Sequence, residues 1–261
     1  MQSVITEPLE LDGSGIESRE IIYKDHKVHY LSAGTGPPVI CLHGGASDGT
    51  DWIPTMQALG DRFSFYAPDI IGFGRSNRNG TGYYLTDFIA FLEDFMTGLG
   101  IESGFLVGHS FGARVCLGVA LDRPEMVKKM VLVDAAGLGK NSRFGLIMLN
   151  GFNLARRLLR KPQPQPTFLS YEGDDPDWAC VADLPRVTAP TLLIWNEHDM
   201  YLPLDNARQA LKLMPDARLE VMQGYGHAPH RTHDATFYRL LVEFFGDGNL
   251  GSGASRAGAA S

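Results

Sequence analysis

Gly108-His109-Ser110-Phe111-Gly112 constrains this chain more than any other stretch. It follows the apolar run Phe105-Leu106-Val107 and precedes a helix-like segment, Arg114 to Leu121. A serine between two glycines at a strand-to-helix turn sits at the tip of the turn. Its hydroxyl is exposed there, and the following backbone N–H can donate. The turn is too sharp for side chains at the flanking positions, hence the glycines. In a chain with 30 Gly the pentapeptide alone carries little weight. The strand before it, the helix after it and the partners downstream carry the reading.

The surrounding pattern fits such a turn. Ile21-Ile22-Tyr23 and Val28-His29-Tyr30-Leu31, joined at Asp25-His26, read as an antiparallel hairpin. Strands then alternate with helices. Val39 to Leu42, Phe63 to Ala67, Phe105 to Val107, Met130 to Val133 and Leu192 to Trp195 are continuous apolar runs, as expected of strands covered on both faces. Leu219 to Met222 reads as the last strand. Leu85 to Leu99 places Phe88, Leu92, Phe95 and Leu99 at helical spacing, and Asp205 to Met214 and Phe237 to Phe245 are two further helices. The alternation predicts an α/β fold: a mostly parallel sheet with an N-terminal antiparallel hairpin and helices on both sides.

One interval breaks the rhythm. Residues 137–190 contain no strand pattern. Phe144 to Leu159 is an apolar helix-like segment that ends in Arg156, Arg157, Arg160 and Lys161, which suits a helix C-terminus. Pro162-Gln163-Pro164-Gln165-Pro166 follows as an extended arm. Long intervals of this kind in α/β chains are usually functional. The expected organisation is therefore a core of residues 1–136 and 191–245, a short cap at 137–190 and a flexible tail at 246–261. Leu146, Ile147 and Leu149 are the expected substrate wall of the cap.

Composition narrows the partners. A net charge of -7 leaves no basic face for nucleic acid. Met1 to Gly15 is polar and acidic, and no run of about 18 apolar residues exists, so neither a leader nor a membrane span is expected. Cys41 and Cys116 lie in apolar surroundings, and with Cys180 they read as reduced thiols of a cytoplasmic protein.

Acyl transfer by serine needs a base, an acid to orient it and donors for the oxyanion. In this architecture the order along the chain is Ser, acid, His. Among eight histidines, His227 sits in the glycine-rich loop Gln223 to His227, just after the last strand, at the sheet edge that carries the elbow. His230 and His233 read as surface residues that open the next helix, and His26 and His29 belong to the hairpin. Asp199 follows Leu193-Ile194-Trp195-Asn196 and is the expected acid. Asp134, directly after the Met130 to Val133 run, is its rival. The Phe111 N–H is one oxyanion donor, and Gly45, in the loop His43-Gly44-Gly45-Ala46, supplies the other. His43 reads as a brace for that loop and His109 as packing.

These pieces, with Asp69-Ile70-Ile71-Gly72-Phe73-Gly74-Arg75-Ser76, resemble the α/β-hydrolase superfamily over roughly residues 20–245. The chain is most similar to its branch of esterases, cofactor-free haloperoxidases and meta-cleavage-product hydrolases. The resemblance implies a cap at 137–190 and structural roles for Asp69 and Arg75. Ser110 stands where haloalkane dehalogenases and epoxide hydrolases carry aspartate, and Ala228 stands where meta-cleavage-product hydrolases carry tryptophan. Those C–C hydrolases also use a cap arginine, for which Arg143, Arg156 and Arg157 are candidates, although their clustering suits solvated charge. The expectation is a serine hydrolase of small to medium carboxylic esters with the triad Ser110, Asp199 and His227, no cofactor and no metal. C–C bond hydrolysis and a ligand receptor that retains its triad are the alternatives. The sequence specifies no oligomeric state.

Overall fold

A computed structural model describes residues 3–11, 13–24, 26–45, 47–76, 83–158, 180–224, 226–232 and 234–246. The proline-rich arm at 162–166, His233 and the tail beyond 246 lie outside the described residues.

The chain opens with two short strands, β1 (Val4–Ile5) and β2 (Leu9–Glu10), followed by the long hairpin β3 (Ile16–Tyr23) and β4 (His26–Ala33). It then alternates: β5 (Pro38–Leu42), α1 (Ile53–Leu59), β6 (Ser64–Pro68), α2 (Leu85–Gly98), β7 (Gly104–His109), α3 (Phe111–Asp122) and β8 (Val127–Val133). After α4 (Arg143–Leu158) come β9 (Thr191–Asn196), α5 (Leu204–Leu213), β10 (Ala217–Met222) and α6 (Ala235–Gly246). Among the described residues these strands form one sheet in the order β1-β3-β4-β6-β5-β7-β8-β9-β10, with β2 against β3. Pairing is antiparallel from β1 to β6 and parallel from β6 across to β10.

The apolar runs are continuous because each strand feeds two cores. Ile40, Leu42, Leu106, Met130, Leu132, Leu193 and Trp195 pack with Phe88, Leu92 and Phe95 of α2, with α3 and with Ala207 and Ala210 of α5. Their neighbours Val39, Cys41, Val107, Val131, Val133, Leu192 and Ile194 pack on the other face with Met56 and Leu59 of α1 and Phe237, Leu241 and Phe244 of α6. Successive side chains of a strand point to opposite faces, so a sheet covered on both sides needs apolar residues at every position. Phe245 of α6 stacks on Phe105 of β7 at 4.4 Å. Truncating the buried Phe245 ring costs about 3–5 kcal/mol.

This topology places the chemistry. The chain leaves β5 toward β6 on one side and β7 on the other. The loops after β5 and β7 therefore meet at the switch point where open α/β sheets bind ligands. Between β8 and β9 no strand occurs among the described residues. Helix α4 begins one residue before the sequence pattern predicts. No helix among the described residues is long and apolar enough to cross a membrane.

Candidate active site

Ser110 lies between β7 and α3 with φ 49° and ψ -110°, a strained conformation for a residue with a Cβ. Its backbone is held from the next strand: Ser110 N–H donates to Val133 O at 2.9 Å, and Ala136 N–H donates to Ser110 O at 3.0 Å. The flanking glycines are required by close approach. A Cβ on Gly108 would come within 2.5 Å of Ala113 Cα, and one on Gly112 within 2.5 Å of the Leu42 and His43 carbonyl oxygens.

The downstream partners converge on this serine. His227 Nε2 is 3.0 Å from Ser110 Oγ, and His227 Nδ1 is 2.7 Å from Asp199 Oδ2. A carboxylate only accepts, so the imidazole proton sits on Nδ1 and Nε2 is free to accept from the hydroxyl. The Asp199 side chain is fully buried, whereas His227 keeps 22% exposure. Asp199 Oδ1 also accepts from Tyr201 N–H at 2.7 Å and Leu202 N–H at 3.1 Å. The structure thus brings together the three residues expected from the sequence.

The loop after β5 presses on the elbow. His43 Nδ1–H donates to Gly44 O at 2.7 Å, and Nε2 accepts from Ile70 N–H at 3.0 Å. Burial lowers the His43 pKa and keeps this arrangement neutral. Carbonyl and N–H point opposite ways in a trans peptide, so holding Gly44 O toward His43 turns the Gly45 N–H away from that ring. Phe111 opens α3 directly after the serine. Asp69 is structural: it joins His29 Nδ1 at 2.9 Å and accepts the N–H groups of Gly49 and Arg75, each at 2.8 Å. Burial works to raise its pKa, but these bonds outweigh burial and the pKa falls.

Two histidines behave differently from their appearance in the sequence. His109 is buried and its Nε2–H donates to the His227 carbonyl at 2.6 Å, so it packs and also tethers the loop of His227. His230, read above as a surface residue, is fully buried. Its ring stacks on Trp52 at 4.5 Å and lies 4.5 Å from His109. The tryptophan of a sequence-distant helical turn buries it, and no local pattern announces that. Asp134, the rival acid, is also fully buried. Its Oδ1 accepts from Asn196 N–H at 2.8 Å.

The start of α4 lies beside the site. Ser142 N–H donates to Tyr201 O at 2.8 Å, its hydroxyl bonds Met200 O, and the Phe144 ring meets Tyr201 at 5.7 Å. Tyr201 in turn lies 5.0 Å from the His227 ring. Sequence reading missed Tyr201, although its position two residues after the acid is a usable signal. Of the three expected wall residues, Leu146 is half-buried and Ile147 is 70% exposed, while the Leu149 side chain lies outside what is described. A separate cavity of about 370 Å³ on the antiparallel side is lined by Glu17, Arg19, Tyr30 and Tyr66 and includes none of Ser110, Asp199 and His227.

Asp51, His109 and His230 bring ligand atoms within 4.8 Å of one another, as do His109, Asp134 and His227. In the first set Asp51 is held by Arg231 at 2.6 Å. In the second, a cation would compete with the hydrogen bonds His227 already makes.

The family model for the alpha/beta hydrolase fold matches residues 37–168. An uncharacterised protein of Mycobacterium tuberculosis is 28% identical over 259 aligned residues, covering 81% of this chain and 76% of the relative. A 2-hydroxy-6-oxononadienedioate/2-hydroxy-6-oxononatrienedioate hydrolase of Comamonas testosteroni is 27% identical, covering 85% and 92%. Among solved structures, a meta-cleavage product hydrolase from Pseudomonas fluorescens matches with a TM-score of 0.75 and 28% identity, covering 88% of this chain and 98% of the other.

Proposed function

This chain belongs to the α/β-hydrolase fold family, and on that premise we propose that it is a cofactor-free serine hydrolase of small to medium carboxylic esters. The observation that carries the proposal is the unbroken relay from Ser110 Oγ through His227 to Asp199, at 3.0 and 2.7 Å. Ser110 Oγ attacks the ester carbonyl carbon as its proton passes to His227 Nε2. Asp199 holds the resulting imidazolium by accepting from Nδ1. The carbonyl oxygen gains the negative charge and is met by the Phe111 and Gly45 N–H groups. Collapse breaks the bond to the leaving alcohol, which takes the proton from Nε2. Water repeats the cycle on the acyl-enzyme and restores Ser110. Asp134 is then a neighbour of the acid rather than the acid itself. Residues 137–190 are the proposed cap, with Leu146 and Ile147 facing substrate; Leu149 is a further candidate whose side chain lies outside the described residues.

The relatives of known name, at 27–28% identity, favour a second reading, hydrolysis of a C–C bond in a vinylogous diketone. Ala228 after His227 counts against it on the resemblance noted above. An ester panel with one vinylogous diketone separates the two. Turnover of esters with none of the diketone supports ester hydrolysis, and the reverse pattern replaces it with the C–C reaction.

A further inference from the structure

Asp134 and Asp199 bring two carboxyl groups together behind the histidine. Asp134 is fully buried and Asp199 nearly so, and the two lie within hydrogen-bonding reach. Two carboxylates cannot both ionise in so little water, so the pair shares a proton.

Geometry decides which member holds it. Asp199 receives three N–H groups, from Tyr201, Leu202 and His227. Such donors favour the ionised form. Asp134 receives one, from Asn196, on Oδ1. Its Oδ2 is shut off from solvent and receives no donor. A proton on Oδ2 turns this orphaned acceptor into a donor aimed at Asp199. Among the described residues, His109 and His227 bring ring nitrogens within 4.8 Å of the Asp134 carboxylate. His109 is neutral, because burial first, then His230 and His227, drive its pKa well down. Burial, and then the charge of Asp199, push the Asp134 carboxyl well above the usual range.

The backbone is built for this placement. Asp134 has φ 42°, a left-handed conformation that costs about 1–3 kcal/mol for a residue with a side chain. It is held there by its N–H donating to Ile194 O at 2.9 Å and by the Asn196 bond. Its neighbours Val133 and Ala136 grip the backbone of Ser110.

We infer that Asp134 is a protonated positioning residue that donates its carboxyl hydrogen to Asp199 and so fixes the carboxylate that holds His227. This rests on the serine-hydrolase reading for its catalytic consequence but not for the location of the proton. A donor on Asp199 withdraws part of its charge. Removing the donor restores the full Asp199 charge beside His227.

The test has two readouts. Infrared difference spectra of the protein with isotope-labelled aspartate, wild type against Asp134→Asn at neutral pH, should show a deuterium-sensitive C=O stretch of a protonated acid only in wild type. Absence of that band overturns the proposal whether or not the protein is active. In pH profiles of kcat/KM, Asp134→Ala should shift the acid limb upward by about one unit, a tenfold loss below it. Asp134→Asn, whose amide still donates to Asp199, should keep the wild-type limb. Equal shifts in both variants, or none in either, overturn the positioning role. Failure of the wild type to label with fluorophosphonate would instead remove the serine reading and leave the infrared result to stand on its own. If Asp134→Ala fails to fold, the wild-type and Asn spectra still decide.

Discussion

His109 donates its Nε2–H to the main-chain carbonyl of His227 at 2.6 Å, which ties the residue before the proposed nucleophile to the loop that carries the proposed base. Serine and base therefore do not depend on the side-chain relay alone for their alignment. Small displacements of reacting groups cost large factors in rate. His109→Ala should lower kcat/KM by about 10–100-fold, with Ser110 still reactive toward fluorophosphonate, only more slowly. Steady-state kinetics beside labelling rates check this, and unchanged kinetics would mean the tether is only packing.

His230 and His109 make stability sensitive to acid. Burial, with Arg231 and His227 adding to it, lowers the His230 pKa to about 3. The unfolded chain binds a proton at each of these histidines below pH about 6.5, while the folded chain does not. The stability is therefore whole above that pH and is lost as pH falls from there toward 3, by up to about 1.4 kcal/mol per unit for each histidine. The melting temperature should fall across this window. His230→Phe keeps a ring against Trp52 and should flatten the fall; an identical slope in wild type and variant would contradict the account.

Asp199→Asn should cut turnover by about 10⁴-fold, because the amide favours the wrong imidazole tautomer. Asp134→Asn should cost far less, as measured by single-turnover rates. The reverse pattern would move the acid to the end of β8. Stability separates the two residues as well. The raised pKa of Asp134 means the unfolded chain ionises first as pH rises above about 3.9, which favours unfolding until the folded-state pKa is reached. Asp134→Asn should thus melt at or above the wild-type temperature at neutral pH, with the difference vanishing in acid.

Much of this architecture is legible in the chain, for a physical reason. Val39 to Leu42 and Leu192 to Trp195 are unbroken apolar runs because both faces of the sheet are covered, and the hairpin from β3 to β4 falls where its alternation predicts. The elbow glycines announce a close approach that only they permit. Other features leave no such trace. β1 and β2 are two-residue strands in a polar stretch, and α1 is seven residues long with Pro54 near its start. Burial of His230 depends on Trp52, far away in sequence. Asp134 and Asp199 look like rivals in the sequence because each ends an apolar run, and only the pairing of β8 with β9 shows them to be neighbours.

The proposed cap sets the expected substrate range. Its first turn is anchored beside His227 through Ser142 and Tyr201, and it presents Phe144, Ile147, Leu154 and Leu158 as exposed apolar groups. Each methylene buried against an apolar wall contributes about 0.8 kcal/mol, so kcat/KM should rise about fourfold per added carbon until the wall ends. Activity on p-nitrophenyl esters should peak between about C4 and C8, without activation at a lipid interface. A profile still rising at C16, with a jump above the micelle concentration, would assign the cap to lipids instead.

The central claim is that Ser110 is the acylated nucleophile. Fluorophosphonate labelling followed by peptide mass analysis, in wild type and Ser110→Ala, tests it most directly. The account predicts one adduct on the peptide that holds Ser110, no adduct in the variant, and loss of ester turnover by about 10⁴-fold or more with the melting temperature retained. An adduct elsewhere, or a Ser110→Ala variant that keeps most of its turnover while His227→Ala loses it, would contradict the account.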